Sequence, residues 1–197
     1  TALRLLPAEQ RRALRVVRGH GVWGVHAWLE QPCLYATLLR DPVDRLLSQY
    51  YFIRGSPQHP LHADLMARGR TLGDYLQNGV NLQADNGQVR ALSHAVSDKG
   101  EPPYGACSPA MLKTAMDNLS SRYALVGVTE RFDEFLAQAG RVLGWRHLGY
   151  ARRKVTKSRP AVDALDASER AMIMRYNALD VELYALARSR AEALARG

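Results

Sequence analysis

The sequence lacks the features that mark a membrane span, a metal centre or a disulfide-stapled module. Its longest uncharged apolar stretch, around Cys33-Leu34-Tyr35-Ala36-Thr37-Leu38-Leu39, is far too short to cross a bilayer. No basic-apolar-small leader opens the chain, so no signal peptide is visible. Only two cysteines occur, Cys33 and Cys107, and their spacing resembles neither a metal knuckle nor a redox pair. They could form one disulfide, but two buried thiols in a reducing compartment is the simpler expectation. No internal repeat or low-complexity tract appears, and no lysine occurs before Lys99. With 47% hydrophobic and 23% charged residues, the composition excludes a disordered chain, a collagen and a coiled-coil rod. The 197 residues suffice for one domain and a modest excess, so a single domain over 1–197 is expected.

Positive charge is in surplus. The 27 Lys+Arg against 19 Asp+Glu give a net charge of +8 and a pI near 9.8. Such a field attracts polyanions: nucleic acid, anionic lipid, sulfated or carboxylated glycans, or nucleotide phosphates. The charge does not choose among them.

Pattern and punctuation organise the chain. Pro7 begins a helix-like run from Ala8 to Val17, on which Arg11, Arg15 and Arg18 recur at helical spacing. Leu34 to Leu39 reads as a buried strand. Asp41-Pro42 then supplies an N-cap and an N1 proline. Val43, Leu46, Leu47, Tyr50 and Ile53 follow as a helical stripe, so residues 40–54 form a strand-to-helix junction. Thr71 to Leu76 reads as a short helix, and Asn78 to Gly105 as a long excursion with little regular structure. Ser108-Pro109 opens another helix, and Tyr123 to Val128 alternates like a strand. Thr129 is expected to cap a helix with Phe132, Phe135, Leu136, Ala139 and Leu143 on its buried face and Gly144 at its end. A basic loop, residues 152–160, leads to one long C-terminal helix with Met172, Tyr176, Leu179, Leu183 and Leu186 along its stripe. Strands followed by helices predict an α/β fold with a parallel sheet.

Arg40 stands where a strand delivers its last residue to a helix N-terminus. In open α/β sheets ligands bind beyond the carboxyl ends of strands, and free amides of a first helical turn suit a phosphate. Arg40, Arg45 and Ser48 therefore form a candidate anion site; the plainer alternative is that Arg40 only pairs with Asp41 or Asp44. Trp23 and Trp28 are expected to pack in the core rather than stack on a sugar.

The stretch Tyr35-Ala36-Thr37-Leu38-Leu39-Arg40-Asp41-Pro42-Val43-Asp44-Arg45-Leu46-Leu47-Ser48-Gln49-Tyr50-Tyr51 resembles the 3′-phosphate-binding motif of carbohydrate sulfotransferases, notably those of the heparan-sulfate and uronyl 2-O-sulfotransferase type. Three further stretches agree in order and spacing. Residues 126–132 (VGVTERF) resemble that family's strand-to-helix turn, residues 154–160 (KVTKSRP) its basic loop beside the nucleotide, and residues 177–184 its final Asp-x-x-Leu-Tyr helix. The resemblance implies a P-loop-like parallel sheet flanked by helices. It also implies a sulfuryl donor, 3′-phosphoadenosine 5′-phosphosulfate, with its 3′-phosphate on Arg40 and Ser48. Arg153, Lys154, Thr156 and Lys157 would close over the same nucleotide, with no metal. His20, in Arg18-Gly19-His20, is similar to the family's catalytic histidine, and Arg18 would touch an anionic acceptor. Asn86, Gln88 and Arg90 resemble a polar Asn-x-Gln-x-Arg stretch near acceptor or donor.

The chemistry suits these residue types. A sugar hydroxyl is a weak nucleophile, and a neutral imidazole can take its proton as it attacks sulfur. Sulfuryl transfer resembles phosphoryl transfer, in which positioning and cationic stabilisation dominate. One part of the family's pattern is not found: no strand-loop-helix with Lys and Ser or Thr precedes His20. A chain opening at Thr1 is therefore expected to be a piece that begins after its first strand and helix, with a degenerate homologue as the alternative, and to transfer sulfate poorly or not at all as it stands. The implied acceptor is a carbohydrate or other hydroxyl, with an anionic, glycosaminoglycan-like chain favoured by the basic residues, and nucleic acid is not expected as a partner. The Arg- and Ala-rich composition favours a bacterial cytoplasmic enzyme, with the Golgi lumen of the animal relatives as the alternative. A non-catalytic basic module for glycan or nucleic acid is the competing reading.

Overall fold

The computed structural model describes residues 2–19, 23–67, 69–93, 100–151 and 159–196. Its architecture is mixed α/β and 61% helical around a two-stranded parallel sheet, so helices rather than strands carry most of the core. Strand β1 (Tyr35–Leu39) lies beside β2 (Tyr123–Val128), with Leu39 opposite Val128 and an irregularity between Tyr35 and Ala36. Because the strands run parallel, the turns that follow them, at Arg40-Asp41 and Thr129-Glu130, emerge side by side. At the opposite end Trp23 packs against Tyr35 and Tyr123, with ring centroids 4.7 and 5.7 Å apart, as expected of core packing, whereas Trp28 lies outside the core with the Arg4 guanidinium 5.5 Å from its ring.

The helices preceding β1 are α1 (Ala2–Leu5) and α2 (Ala8–Ala13). Between the strands come α3 (Pro42–Arg54), α4 (His62–Ala67), α5 (Leu72–Gln77), α6 (Gly87–Ser93) and α7 (Pro109–Ser121). After β2 come α8 (Phe132–Leu143), α9 (Ala167–Tyr176) and α10 (Ala178–Arg196). No helix among the described residues is long and apolar enough to cross a membrane.

Capping chemistry sets several boundaries. Asp41 accepts from the Val43 and Asp44 amides and Pro42 occupies N1 of α3. Ser108 accepts from Met111 N–H ahead of Pro109 in α7. Thr71 and Asp74 form a reciprocal capping box on α5. Gly144 ends α8 at φ 68°, a left-handed value that glycine adopts without strain.

Six expectations are corrected. Helix α2 stops at Ala13, so Arg15 and Arg18 do not share a helical stripe with Arg11. Strand β1 is only partly buried, and Leu34 is exposed, because β1 has one strand neighbour rather than two among the described residues. The excursion 78–105 contains α6, a helix with Val89, Arg90 and Leu92 buried. Thr129 does not cap α8; a 3₁₀ turn at Thr129–Arg131 intervenes, and Leu143 is exposed. The C-terminal helix is two helices broken at Asn177. Cys33 and Cys107 are free thiols as expected, but they are not both buried: Cys33 is exposed and Cys107 half-buried.

Two apolar clusters divide the interior. One gathers Leu39, Val89, Leu112, Leu119, Val126 and Leu183 around the sheet. The other gathers Val43, Leu47, Leu72, Tyr75, Ala84 and Ile173 around α3 and α5. The chain passes from the second cluster to the first twice, from Ala84 to Val89 and from Ile173 to Leu183. The buried polar residues Asp85, Asn86, Asn177 and Asp180 stand at those two crossings. Buried polar groups are tolerated when hydrogen-bonded: Asn86 bonds to the Asp85 side chain and the Asp180 amide, while the Asn177 side chain donates to the Ala84 and Ile173 carbonyls.

Candidate anion site at the strand-to-helix junction

Arg40 follows the last residue of β1. Its Nε donates to Asp44 Oδ2 at 2.5 Å, one helical turn along α3. Asp44 Oδ1 accepts from Arg159 Nη1, also at 2.5 Å, and the same nitrogen reaches the Asp44 carbonyl at 3.3 Å. One carboxylate thus gathers two guanidiniums from residues 119 positions apart, leaving a formal charge of +1 on the trio. All three side chains are partly exposed, at 20–31%. Ser48 lies one further turn along α3, on the face that Asp44 occupies. It is half-buried and its hydroxyl has no hydrogen-bond partner among the described residues.

The backbone here offers a ligand less than the sequence implies. Pro42 has no N–H, and the Val43 and Asp44 amides are held by the Asp41 side chain at 3.0 Å. Asp41 N–H donates to Glu130 Oε1 at 3.0 Å. Arg40 N–H donates to Gln88 Oε1 at 2.8 Å. The expectation of free first-turn amides is therefore corrected: their donors are already taken. What remains for an anion is side chains, namely the Arg40 and Arg159 guanidiniums and the Ser48 hydroxyl.

Arg45, expected beside Arg40, turns the other way. Its guanidinium donates to Gln83 O at 2.7 Å and lies 3.5 Å from Asp180 Oδ2. Asp180 is fully buried and accepts from the Gln88 and Val89 amides at 3.1 and 2.7 Å. Burial pushes its carboxyl pKa up, opposed by Arg45 and those amides. Asn86 Oδ1 accepts from Leu179 and Asp180 N–H, capping α10 from outside. Asn86 adopts φ 47°, which asparagine tolerates better than most residues.

The other sequence-identified residues distribute as follows. Gln88 adjoins Arg40, donating to its carbonyl as well as accepting from its amide. Arg90 is 2% exposed and bonded to Asp85 and the Pro102 and Pro103 carbonyls, so it faces the interior. Arg18 is exposed on irregular chain. His20, Arg153, Lys154, Thr156 and Lys157 lie outside the described residues.

Arg159 and Glu130 belong to the junction yet were not singled out from sequence, although both fall in stretches that carry the resemblance. Glu130 Oε2 accepts from Tyr184 O–H at 3.1 Å, which ties α10 to the turn after β2. Burial and the adjoining carboxylate hold the Tyr184 phenol above its ordinary range. No protein-family profile matches the chain, and no curated protein matches it at a significant level.

Proposed function

We propose that this chain carries the 3′-phosphate side of the donor site of a sulfotransferase that modifies a carbohydrate hydroxyl. The supporting observation is the pairing of Arg40 and Arg159 through Asp44 at the carboxyl end of β1, with Ser48 one turn beyond. Guanidiniums present planar forks suited to phosphate oxygens, and a serine hydroxyl adds a donor. In 3′-phosphoadenosine 5′-phosphosulfate the donor supplies the transferable sulfuryl group. Arg40, Arg159 and Ser48 hold its 3′-phosphate, residues 153–157 contribute further cations and a hydroxyl, and His20 takes the proton of the acceptor hydroxyl.

The test is nucleotide discrimination by calorimetry. Hydrogen bonds to charged groups contribute about 1.5–3 kcal/mol, so Arg40→Ala should weaken adenosine 3′,5′-bisphosphate roughly 10- to 150-fold. Adenosine 5′-monophosphate, which lacks the 3′-phosphate, should bind as before. Equal loss for both nucleotides refutes the assignment. Steeply salt-dependent polyanion binding with no discrimination between the nucleotides supports the competing binding-module reading instead.

A further inference from the structure

Gln88 occupies the second position of α6 and is half-buried. Its side-chain amide brackets a single residue. Oε1 accepts from Arg40 N–H at 2.8 Å and Nε2 donates to Arg40 C=O at 3.0 Å. Those are the two bonds that a neighbouring strand makes with one residue of a ladder, supplied here by a side chain just past the end of β1. The next peptide is fixed as well, since Asp41 N–H donates to Glu130. The backbone that sets the direction of the Arg40 side chain is therefore held from two sides.

Gln88 is itself anchored. Its N–H donates to Asp180 Oδ2 and the Val89 N–H to Asp180 Oδ1, while Asn86 Oδ1 accepts from the Leu179 and Asp180 amides. The amino ends of α6 and α10 thus cap each other through Asn86 and Asp180, and the bracket on Arg40 projects from that closed set of bonds. An amide offers an acceptor and a donor side by side on two atoms, as the bracket requires; ionised glutamate lacks the donor and asparagine is one methylene shorter.

We infer that Gln88 is a positioning residue that aims Arg40 at the 3′-phosphate of the donor nucleotide, acting through the Arg40 backbone rather than by touching the ligand. The inference rests on the nucleotide reading of Arg40 given above. Replacing the side chain removes the bracket and the support that the Gln88 side chain lends to ionised Asp180, but leaves the Gln88 N–H bond to that carboxylate available.

The experiment measures affinity for adenosine 3′,5′-bisphosphate and adenosine 5′-monophosphate in the full chain carrying Gln88→Ala, Gln88→Met, Arg40→Ala, or Gln88→Ala with Arg40→Ala. Methionine keeps most of the volume without the hydrogen bonds, and a thermal melt of each variant checks folding. Gln88→Ala and Gln88→Met should each weaken the bisphosphate roughly tenfold, as expected for losing a net hydrogen-bonded constraint. The monophosphate should change less than about twofold, and Gln88→Ala should add nothing to Arg40→Ala, because it acts through that arginine. If Arg40→Ala abolishes discrimination while both Gln88 variants keep it, the positioning role is overturned and the nucleotide reading stands. If Arg40→Ala also keeps discrimination, the nucleotide reading falls and this inference with it. Equal weakening of both nucleotides by the Gln88 variants makes Gln88 purely structural and overturns the inference.

Discussion

Replacing Arg90 with methionine should unfold the protein at much lower temperature, and the size of the effect follows from its surroundings. Arg90 is 2% exposed and its partner Asp85 5% exposed, with Nη2 on Oδ2 at 2.5 Å. The same guanidinium donates to the Asp85 carbonyl at 2.8 Å and to the Pro102 and Pro103 carbonyls at 2.6 and 2.8 Å. Methionine fills similar space but leaves Asp85 with only the Gly105 amide and the Asn86 side chain. Breaking a buried pair by removing one partner costs about 3–5 kcal/mol, because the other charge stays buried. For a chain of this size each kcal/mol lowers Tm by about 2–4 °C, so a fall of roughly 6–20 °C is expected by circular dichroism. The exposed pair Lys113–Asp117 makes the control. Its 2.6 Å contact is nearly as short, but both side chains are more than 60% exposed, so Lys113→Ala should leave Tm nearly unchanged. A loss below about 2 °C for Arg90→Met would refute the argument that burial decides the difference. It would return Arg90 to consideration as a ligand-facing residue.

Two other outcomes are expected. A Cβ placed on Gly127 would lie 2.6 Å from the Phe135 ring, so Gly127→Ala should force α8 away from β2. It should cost about 1–3 kcal/mol in urea unfolding, and an unchanged midpoint would contradict this packing. Iodoacetamide at pH 8 should label exposed Cys33 well before Cys107, whose thiol burial pushes up to about 11. Since the thiolate is the nucleophile, Cys107 labelling should rise about tenfold per pH unit towards that value. Equal labelling of both at pH 8, read by mass spectrometry, would exclude the buried environment.

Where structure is locally encoded, the sequence is a good guide. Asp41-Pro42, Thr71 with Asp74, and Ser108-Pro109 each place a helix start, because the capping bonds span only two or three residues. Tyr123 to Val128 is a strand with the bounds that its alternation implies. Helix α6 is different. At seven residues it is too short to be stable by propensity, and its flanking Asn, Asp and Gly read as loop. What holds it is Asp180, more than 90 residues away, accepting its first amides. The break at Asn177 is hidden for a related reason. The apolar stripe runs through it from Met172 to Leu183, while Asn177 side-chain bonds to the Ala84 and Ile173 carbonyls accompany the interruption. At the site, Arg40 is legible from its place after a strand, but the opposite aim of Arg45 is not. Charge and spacing do not reveal that a carboxylate as remote as Asp180 lies on the inner side of α3.

The four stretches that carry the sulfotransferase resemblance are joined mechanically at one place, and this bears on how the site would discriminate. Glu130 holds Asp41 N–H, Arg159 shares Asp44 with Arg40, Asp180 anchors Gln88, and Tyr184 holds Glu130. Glu130 takes the Asp41 amide and the Asp41 side chain takes those of Val43 and Asp44, so a helix-dipole cradle is not on offer at the start of α3. Recognition falls to side chains whose backbones are fixed but whose outer atoms remain partly exposed. The Arg40 Nε is engaged by Asp44, and its Nη groups have no hydrogen-bond partner among the described residues. A carboxylate that pairs both arginines also lowers their combined field, so a loosely held polyanion gains little from the trio. A compact phosphate that replaces several of those contacts at once gains more. The surplus of +8 over the whole chain favours the approach of anions; under the proposed donor-site reading, the Asp44 clamp would make the junction selective among them.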